Sequence, residues 1–260
     1  MPELPEVERA ARLLRAVIEG RTISAVRVIH PALRRALPEK SAARLRGARV
    51  ERVEQRAKHQ ALVLDDGRLL HVHFRMAGDW DLGRTGDPEP RHARLVIELA
   101  DGGRVALVDP RALATVALLP AGSLPFASLG PEPQEDAFTV AWLRAALSTR
   151  RGAIKPALLD QRVVAGLGNI YAAEALWEAG VSPLAPAQRL SAARLERLVA
   201  AVRRVIERAR QRRSRYSEGV DDGLRVYGRE QERCERCGAR VRRIVQAGRS
   251  TYYCPRCQRR

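Results

Sequence analysis

Several features are scarce in this chain of 260 residues, and each scarcity excludes a class of protein. No apolar run approaches the roughly 20 residues that a membrane-spanning helix needs. The first residues contain no cationic stretch followed by an apolar one, so we do not expect a secretory signal. With 45% hydrophobic and 30% charged residues the chain can bury a core, which excludes wholesale disorder. We therefore expect a folded, cytoplasmic protein with no membrane partner.

Acidic residues are also under-represented, since 30 Asp and Glu face 47 Lys and Arg and give a formal net charge of +17. Such an excess attracts phosphate, which makes nucleic acid the simplest partner. The alternative is that arginine is abundant only because of the genome's base composition. Lysine is rare, occurring only at Lys40, Lys58 and Lys155. A compact ammonium is not interchangeable with a planar guanidinium, so Lys58 and Lys155 are candidate functional residues.

The pattern of apolar residues predicts an α+β chain. Residues 5–20 have the spacing of an amphipathic helix, and residues 22–119 consist of short β-branched runs with turns typical of a β-sandwich or barrel. A segment rich in proline and glycine, 120–136, is the best linker candidate, and helical patterns follow it. One of these predicts a helix capped by Ser191. The predicted domains are a helix with a β-sandwich at 1–130, a helical domain at 131–225 and a cysteine-bearing module at 226–260.

All four cysteines lie in the carboxyl-terminal module, as Cys234-x2-Cys237 and Cys254-x2-Cys257 with sixteen residues between the pairs. Two such knuckles joined by a β-hairpin fit one tetrahedral zinc ion held by four thiolates. Because the thiolates fill the coordination sphere, we expect this zinc to be structural. The alternative is a pair of disulfides, which a reducing cytosol disfavours.

The amino terminus supplies a possible nucleophile. If Met1 is removed, Pro2 has a free secondary amine, and an α-amino group titrates near pH 8, well below lysine. A useful fraction would then be unprotonated at neutral pH and able to attack a sugar aldehyde carbon, as Schiff-base amines do. Glu3 beside it could donate and accept the protons. Many cytosolic chains begin with Met-Pro, so this pattern alone is weak.

A series of short motifs runs over nearly the whole chain: 1–8 (MPELPEVE), Lys58, 73–78 (HFRMAG), 109–111 (DPR), 129–133 (LGPEP), 154–155 (IK), 166–171 (GLGNIY), 226–229 (VYGR), the four cysteines and 248–251 (GRST). In these motifs and in their order the sequence resembles the family of formamidopyrimidine-DNA glycosylase and endonuclease VIII, on the formamidopyrimidine side. A Gly-Leu-Gly-Asn motif alone would be a weak signal, but the ordered set is very specific.

This resemblance implies a fold, a partner and a reaction. The fold is an amino-terminal helix with a β-sandwich, then a helix-two-turn-helix domain and a zinc-finger hairpin. The partner is damaged DNA, bound by a monomer with no small-molecule cofactor. The reaction is base excision coupled to abasic-site cleavage, in which mature Pro2 attacks C1′ of an extruded nucleotide and successive β- and δ-elimination cut the strand. Such chemistry requires base flipping, because C1′ is poorly accessible within stacked duplex DNA.

The resemblance also implies roles for individual residues. Pro2 is the expected nucleophile and Glu3 the expected general acid and base. Lys58 and Arg249 are expected both in catalysis and at the phosphates around the lesion. The other expected DNA contacts are Met76, Arg111, Leu113, Lys155 and Asn169. For several of these a plainer reading stays open: Lys58 and Arg249 as surface cations, Lys155 as a solvated helix end, and the turn before Asn169 as an ordinary glycine turn.

Two departures from the family pattern concern the recognition of the lesion. Met76 matches the inserted methionine, but after Asp109-Pro110-Arg111 the family carries arginine, phenylalanine and glycine where this chain has residues 112–114 (ALA). Leu113 could still act as a wedge, whereas Ala112 cannot hydrogen-bond the orphaned base. The loop over the lesion, 211–223, looks shortened and lacks the family's Gly-Gly-Thr-Thr entry. These changes put in doubt the preference for cytosine and for 8-oxoguanine.

Three functions therefore remain to be compared. The first is a bifunctional glycosylase and abasic-site lyase for oxidised or ring-opened bases. The second is an endonuclease VIII-like preference for oxidised pyrimidines, hydantoins or bulky lesions, and the third is a non-catalytic binder of damaged or abasic DNA. Retention of Pro2, Glu3 and Lys58 favours an enzyme, because binding alone does not need a free proline amine. A further departure, 92–94 (HAR) in place of His-Asp-His, has no explanation in the sequence.

Overall fold

The computed structural model describes residues 1–211 and 223–259. The chain divides into two compact units, Met1–Ala127 and Ser128–Arg260. The division falls within the segment rich in proline and glycine. Among the described residues, no helix combines the length and the apolar character needed to cross a membrane. The three domain boundaries drawn from the sequence remain a prediction, and each unit is described by itself.

The first unit contains three helices and eight strands. The helices are α1 (Leu4–Ile18), α2 (Pro31–Arg34) and α3 (Glu39–Ala43). The strands are β1 (Ile23–Val28), β2 (Val50–Arg56), β3 (His59–Leu64), β4 (Leu69–His73), β5 (Asp79–Arg84), β6 (Ala93–Leu99), β7 (Gly103–Val108) and β8 (Thr115–Leu119). They form two antiparallel four-stranded sheets, in the orders β1-β6-β7-β5 and β2-β3-β4-β8.

One hydrophobic cluster joins both sheets to α1 and makes the first unit a β-sandwich with a helix. Leu62 and Leu70 contribute from one sheet, Ile97 and Leu107 from the other, and Leu14 from α1, all fully buried. Burying such aliphatic side chains is the main driving force of folding, at roughly 1.5–3 kcal/mol for each. The predicted sandwich is confirmed. Its candidate residues Lys58, Met76, Arg111 and Leu113 lie in the connections between strands.

The second unit is helical and ends in a hairpin. Its helices are α4 (Val140–Leu147), α5 (Ile154–Leu158), α6 (Asn169–Ala179) and α7 (Ala192–Arg210), and its strands are β9 (Arg242–Gln246) and β10 (Arg249–Tyr253). Between α5 and α6 the chain makes the two turns expected of the helix-two-turn-helix. The hairpin β9–β10 lies between the two cysteine knuckles, so the predicted α+β class with a terminal hairpin is confirmed.

Two details differ from the sequence prediction. Ser191 occupies the N-cap of α7 as predicted, but its side chain does not make the capping hydrogen bond that this position allows. Strand β5 lies outside the β-branched runs used for the prediction. It carries charged residues and a glycine, and it pairs with β7 while Trp80 and Leu82 pack on the core. Tertiary packing outweighs weak strand propensity there.

Candidate active site and metal centre

The amino terminus is fixed by the start of α1. Pro2 is buried, and Glu3, only 1% exposed, is the N-cap of the helix. The Glu3 backbone N–H donates to Glu6 Oε2 at 2.8 Å, and the two residues form a reciprocal capping box. The positive end of the helix dipole favours these carboxylates. Pro2 and Glu3 are therefore held at a rigid element rather than on a free tail.

Lys58 lies in the two-residue turn that joins β2 to β3, where Ala57 adopts a positive φ of 53°. Its side chain is 7% exposed, so the reading of Lys58 as a surface cation is wrong. The turn is followed at once by His59, the first residue of β3. An ammonium that is mostly withdrawn from water, next to a strand end, suits a specific contact better than a solubilising role.

Three histidines form a cluster beside this turn, which the sequence analysis did not identify. His59 pairs with His73 across β3 and β4, and their rings meet edge to face at 4.6 Å between centroids. His59 Nδ1 lies 3.0 Å from His71 Nε2, so one of the two nitrogens donates and the other accepts. Because β-strand residues two apart share a face, the spacing of His71 and His73 places both rings on one side of β4.

Burial keeps these histidines neutral. It lowers the pKa of His59 to about 4, with further effects from the charges of His71, Arg75 and Lys58. It lowers the pKa of His73 to about 3, assisted by the charges of His59, Arg75, Lys58 and His71. The pKa of His71 is lowered by burial and then by Arg75. At neutral pH the cluster therefore adds no charge to that of Lys58.

These shifts predict a stability that falls in mild acid. Each folded-state pKa is below the unfolded value of about 6.5, so between these values the unfolded chain binds more protons. The stability that comes from keeping these histidines neutral in the folded chain is fully present above about pH 6.5. It is lost as the pH falls toward 4 for His59 and 3 for His73. In the double variant His59→Gln/His71→Gln, we expect the drop in Tm between pH 7.5 and 5.0 to shrink by about 3 °C, after allowance for partial exposure.

Calorimetry of both proteins at the two pH values checks this expectation. The matched control is His92→Asn, which removes an exposed imidazole at a positive φ of 65° that asparagine tolerates. The control should keep the pH dependence of the unaltered chain. Equal drops in Tm for the double variant and the unaltered chain would show that folding does not lower the pKa values of these histidines.

The turn after β4 presents Met76. Its side chain is 39% exposed, at the tip of the turn between Phe74 and Gly78. The Gly78 N–H donates to Phe74 O at 3.1 Å, and a Cβ at Gly78 would lie 2.8 Å from that oxygen. Only glycine therefore allows this closure, which holds an apolar side chain at the protein surface.

The loop between β7 and β8 is organised by one buried carboxylate. Asp109 is fully buried, and its oxygens accept the N–H groups of Arg111 at 3.0 Å, Leu113 at 2.6 Å and Ala114 at 2.7 Å. Between them Ala112 adopts a positive φ of 53°. The loop exposes the guanidinium of Arg111 and the isobutyl group of Leu113, which is 44% exposed.

The structure also explains the unusual His92-Ala93-Arg94 segment. Arg94 Nε donates to the carbonyl of Asp109 at 2.7 Å, and the Asp109 N–H donates to the carbonyl of His92 at 3.0 Å. Arg94 thus acts as a support for the loop that carries Arg111 and Leu113. Sequence reasoning missed this role because it depends on the pairing of β6 with β7, which no local pattern specifies.

In the second unit the side chain of Lys155 joins the helices to the hairpin. Lys155 is 1% exposed, and its Nζ donates to Asn169 Oδ1 at 2.5 Å, Thr251 Oγ1 at 2.8 Å and Ser250 O at 3.2 Å. The reading of Lys155 as a solvated helix end is therefore wrong. Because Oδ1 of Asn169 faces the ammonium, its Nδ2 is left as the donor, 3.0 Å from Ser250 O and 3.4 Å from the Tyr227 hydroxyl.

Asn169 is also the first residue of α6, which the preceding turn fixes. Gln161 accepts the Gly166 N–H at 2.9 Å and donates to the carbonyls of Leu159 and Leu167, each at 3.0 Å. Gly166 adopts φ of 81°, a conformation that glycine allows without strain. The amino end of α6 is thereby presented with its N–H groups forward, a geometry suited to an anion such as phosphate.

Arg249 begins β10 and its side chain is exposed. The preceding turn, Ala247-Gly248, has positive φ at both residues, 47° and 73°, as in the tight type I′ hairpin. Arg249 therefore stands at the tip of the hairpin, two residues before the buried Thr251 that Lys155 holds. The guanidinium is placed outward by a rigid turn.

The four cysteines form one potential metal centre. Their ligand atoms all lie within 4.8 Å of one another, with Cys234 Sγ 3.9 Å from Cys257 Sγ and Cys237 Sγ 3.4 Å from Cys254 Sγ. A tetrahedral zinc ion with sulfur at about 2.3 Å needs sulfur atoms about 3.8 Å apart, so the set fits. Trp177 Nε1, from α6, lies 3.4 Å from Cys234 Sγ and ties the centre to the helices. The predicted single structural zinc is supported, and the disulfide alternative is not.

The predicted site residues thus fall into two sets. Pro2, Glu3, Lys58, Met76, Arg111 and Leu113 lie in the first unit, at α1 and at turns of the sandwich. Lys155, Asn169, Arg249 and the cysteines lie in the second. Direct contacts join Lys155 and Asn169 to the hairpin strand that Arg249 begins. The loop expected over the lesion, 211–223, lies almost entirely outside the described residues.

Comparison with protein-family models gives three matches in the predicted order. Residues 1–116 match the formamidopyrimidine-DNA glycosylase N-terminal domain, residues 129–218 the H2TH domain of the same enzyme, and residues 231–260 the zinc finger found in FPG and IleRS. Together they cover most of the chain.

Relatives and solved structures agree with these matches. The formamidopyrimidine-DNA glycosylases of Sphingopyxis alaskensis and Cereibacter sphaeroides are 44% and 43% identical to this chain, in alignments that cover 100% of both chains. The Lactococcus lactis enzyme, bound non-covalently to DNA with an abasic site, has a TM-score of 0.92 at 31% identity and covers 99% of this chain and 100% of that one. MutM in complex with DNA containing carbocyclic 8-oxoguanine gives 0.91 at 31% identity, covering 100% of both chains. The resemblance read from the motifs is confirmed: this chain belongs to the formamidopyrimidine-DNA glycosylase family, whose members are DNA glycosylases with abasic-site lyase activity.

Proposed function

We propose that this protein is a base-excision-repair glycosylase and abasic-site lyase that works through the amine of mature Pro2. The observation that carries the proposal is the placement of Pro2 and the buried Glu3 at the amino end of α1, in a chain of this family. A proline at the start of a flexible tail would be exposed, whereas Pro2 is buried beside Glu3. The protein is proposed to act as a monomer in the bacterial cytosol, on damaged DNA and without a small-molecule cofactor.

The chemistry follows from the Pro2 α-amine and the Glu3 carboxyl group. The Pro2 nitrogen attacks C1′ of the extruded nucleotide, the C1′–N bond to the damaged base breaks, and the base leaves with the electron pair. The Pro2 nitrogen then loses its proton and forms a second bond to C1′ while the C1′–O4′ bond breaks and O4′ takes up a proton. The resulting iminium acidifies the neighbouring sugar C–H. Loss of that proton expels the 3′ phosphate, and a second elimination expels the 5′ phosphate. Glu3 is proposed to carry the protons, since general acid–base catalysis needs a carboxyl group within reach of the reacting atoms.

The remaining residues are proposed to hold the DNA. Lys58, Asn169 and Arg249 offer an ammonium, an amide N–H at a helix start and a guanidinium, which are the groups that bind phosphate. Met76 and Leu113 are exposed aliphatic side chains, each on a turn held rigid by its own hydrogen bonds. Rigid apolar wedges of this kind can fill the space that a flipped base leaves.

Two other functions are distinguished by experiment. An endonuclease VIII-like preference is favoured by one observation, the aliphatic Ala112 and Leu113 in the loop that Asp109 organises. The test presents duplexes with an abasic site, 8-oxoguanine, formamidopyrimidine, a hydantoin and an oxidised pyrimidine, and measures strand cleavage and borohydride-trapped adduct. Fastest cleavage of the purine lesions supports the leading proposal, and fastest cleavage of the pyrimidine supports the alternative. DNA binding with no cleavage of any duplex would indicate a non-catalytic binder.

The loop of Ala112 predicts weak discrimination of the base opposite the lesion. Neither Ala112 nor Leu113 has a side-chain donor or acceptor, so neither can read a base edge. We expect excision rates opposite C, A, G and T to lie within about threefold of one another. In Ala112→Arg, a guanidinium that reads one base edge should add discrimination of about tenfold, since a good bidentate contact contributes about 1–3 kcal/mol.

Single-turnover excision from four duplexes that differ only in the opposite base measures this. Thr115→Arg is the matched control, because it adds the same charge at the exposed first residue of β8, directly after the loop. The control should raise affinity for all four duplexes alike. A preference above about thirtyfold in the unaltered chain would mean that another residue reads the opposite base.

A further inference from the structure

A buried carboxylate in α6 binds a stretch of backbone far along the chain. Glu174 is 5% exposed, and its oxygens accept three successive backbone N–H groups: Arg225 at 2.7 Å, Val226 at 2.9 Å and Tyr227 at 2.8 Å. Burial raises the pKa of Glu174, and the three donors act against that rise. A carboxylate withdrawn from water is costly, and it is retained where its hydrogen bonds fix a particular conformation.

The bound backbone is a short connection that leads into the zinc finger. Val226 is fully buried among Trp177, Cys234 and Val241, which anchors the connection by packing as well. Arg229 donates through Nη1 to the carbonyl of Arg225 at 3.3 Å, so the carbonyl side of this stretch is held too. The N–H groups of all three residues and the carbonyls of Arg225 and Val226 are therefore engaged, which holds the backbone that carries the Tyr227 side chain.

Tyr227 connects the backbone held by Glu174 to Asn169, the residue proposed to bind phosphate. Its hydroxyl lies 3.4 Å from Nδ2 of Asn169, and its ring packs edge to face on Tyr252 at 5.0 Å between centroids. Asn169 Oδ1 is held by Lys155, as described above. The Asn169 carboxamide thus has the Lys155 ammonium on its oxygen side, and on its nitrogen side both the Ser250 carbonyl at 3.0 Å and the Tyr227 hydroxyl.

We propose that Glu174 is a positioning residue for DNA binding, which holds Tyr227 beside Asn169 and so fixes Asn169 at the amino end of α6, where the DNA phosphate is proposed to bind. Glu174 does not itself touch the DNA. The first two turns of α6 then have linked roles. Asn169, in the first turn, binds the phosphate, and Glu174, in the second turn, fixes the Tyr227 side chain that holds Asn169. The inference rests on the proposed function at Asn169 and names a residue that supports it.

The test uses the zinc-loaded full chain and measures the Kd for a duplex that carries a tetrahydrofuran abasic analogue. In Glu174→Gln one carboxylate oxygen becomes an NH2 group. This group faces a backbone N–H donor, so at least one of the three hydrogen bonds to residues 225–227 is lost. We expect the Kd to rise about tenfold, with the cleavage rate at saturating protein within about twofold of the unaltered chain. The matched control is Glu178→Gln on the same helix, since Glu178 pairs with Arg204 and Arg208 instead. It should change the Kd less than about twofold.

A double-mutant cycle separates positioning from general destabilisation. If Glu174 acts through Tyr227, then Glu174→Gln should weaken binding no further in a Tyr227→Phe background. Additive losses, or a Kd for Glu174→Gln within about twofold of the unaltered chain, would overturn the proposal. The proposed function has a separate outcome, because tight binding of the duplex without cleavage of a true abasic site by the unaltered chain would refute the lyase and leave the comparison of Kd values intact.

Discussion

Borohydride is expected to link mature Pro2, and no other amine, to DNA that contains an abasic site. A chain that retains Met1 should give no adduct through Pro2 and should cleave at least about a thousandfold more slowly, because the Pro2 nitrogen is then an amide whose lone pair is delocalised into the carbonyl group. The two forms can be prepared from a cleavable tag that leaves either Pro2 or Met1 at the terminus. Mass spectrometry of the trapped peptide identifies the linked residue.

The scarcity of lysine makes this assignment clean. Besides the terminal amine, the only amines in the sequence are the side chains of Lys40, Lys58 and Lys155, and Lys155 is engaged with Asn169 and Thr251. Pro2→Gly keeps an α-amine and should retain part of the activity, which separates loss of the nucleophile from loss of the fold. An adduct on Lys58 in the chain that retains Met1 would move the nucleophile from the terminus to the turn between β2 and β3.

Sequence could predict the features that local chemistry specifies. The four-cysteine spacing identifies the zinc site because the metal dictates the spacing, and the motifs around Pro2 and Asn169 identify the family. The hairpin turns and the helices follow from glycine positions and apolar periodicity. Each of these signals lies within about 25 residues of chain, which is why it can be read without a structure.

The supports of the site could not be predicted, because they depend on pairings far apart in sequence. Glu174 binds backbone some fifty residues away, at Arg225–Tyr227. Lys155 reaches Thr251 across 96 residues of sequence. The histidine cluster needs the register that pairs His59 with His73. The sequence left solvated readings of Lys58 and Lys155 open, whereas burial in the fold shows that both have specific surroundings.

Removal of zinc is expected to abolish DNA binding while leaving the first unit folded. Structural zinc contributes about 10–16 kcal/mol in isolated fingers, so the small hairpin β9–β10 should not persist without it. Its loss removes Arg249 from its turn and removes Ser250 and Thr251 from the Lys155 ammonium, which leaves a buried cation with fewer partners. We therefore expect the Kd for abasic-analogue duplex to rise at least about a hundredfold.

Trp177 provides a direct readout of the same event. Its indole N–H lies 3.4 Å from Cys234 Sγ, and Arg236 stacks over its ring at 4.2 Å, so metal loss should change its fluorescence. Chelation followed by zinc addition should reverse both signals together, and Trp177→Phe identifies the tryptophan responsible. The β-sandwich shares no cysteine with the finger, so its circular dichroism should persist. If a zinc-free chain, with metal content verified, still binds the duplex at full affinity, then the finger does not position Arg249 for the phosphate, and the contacts that Lys155 makes to the hairpin are not needed for binding.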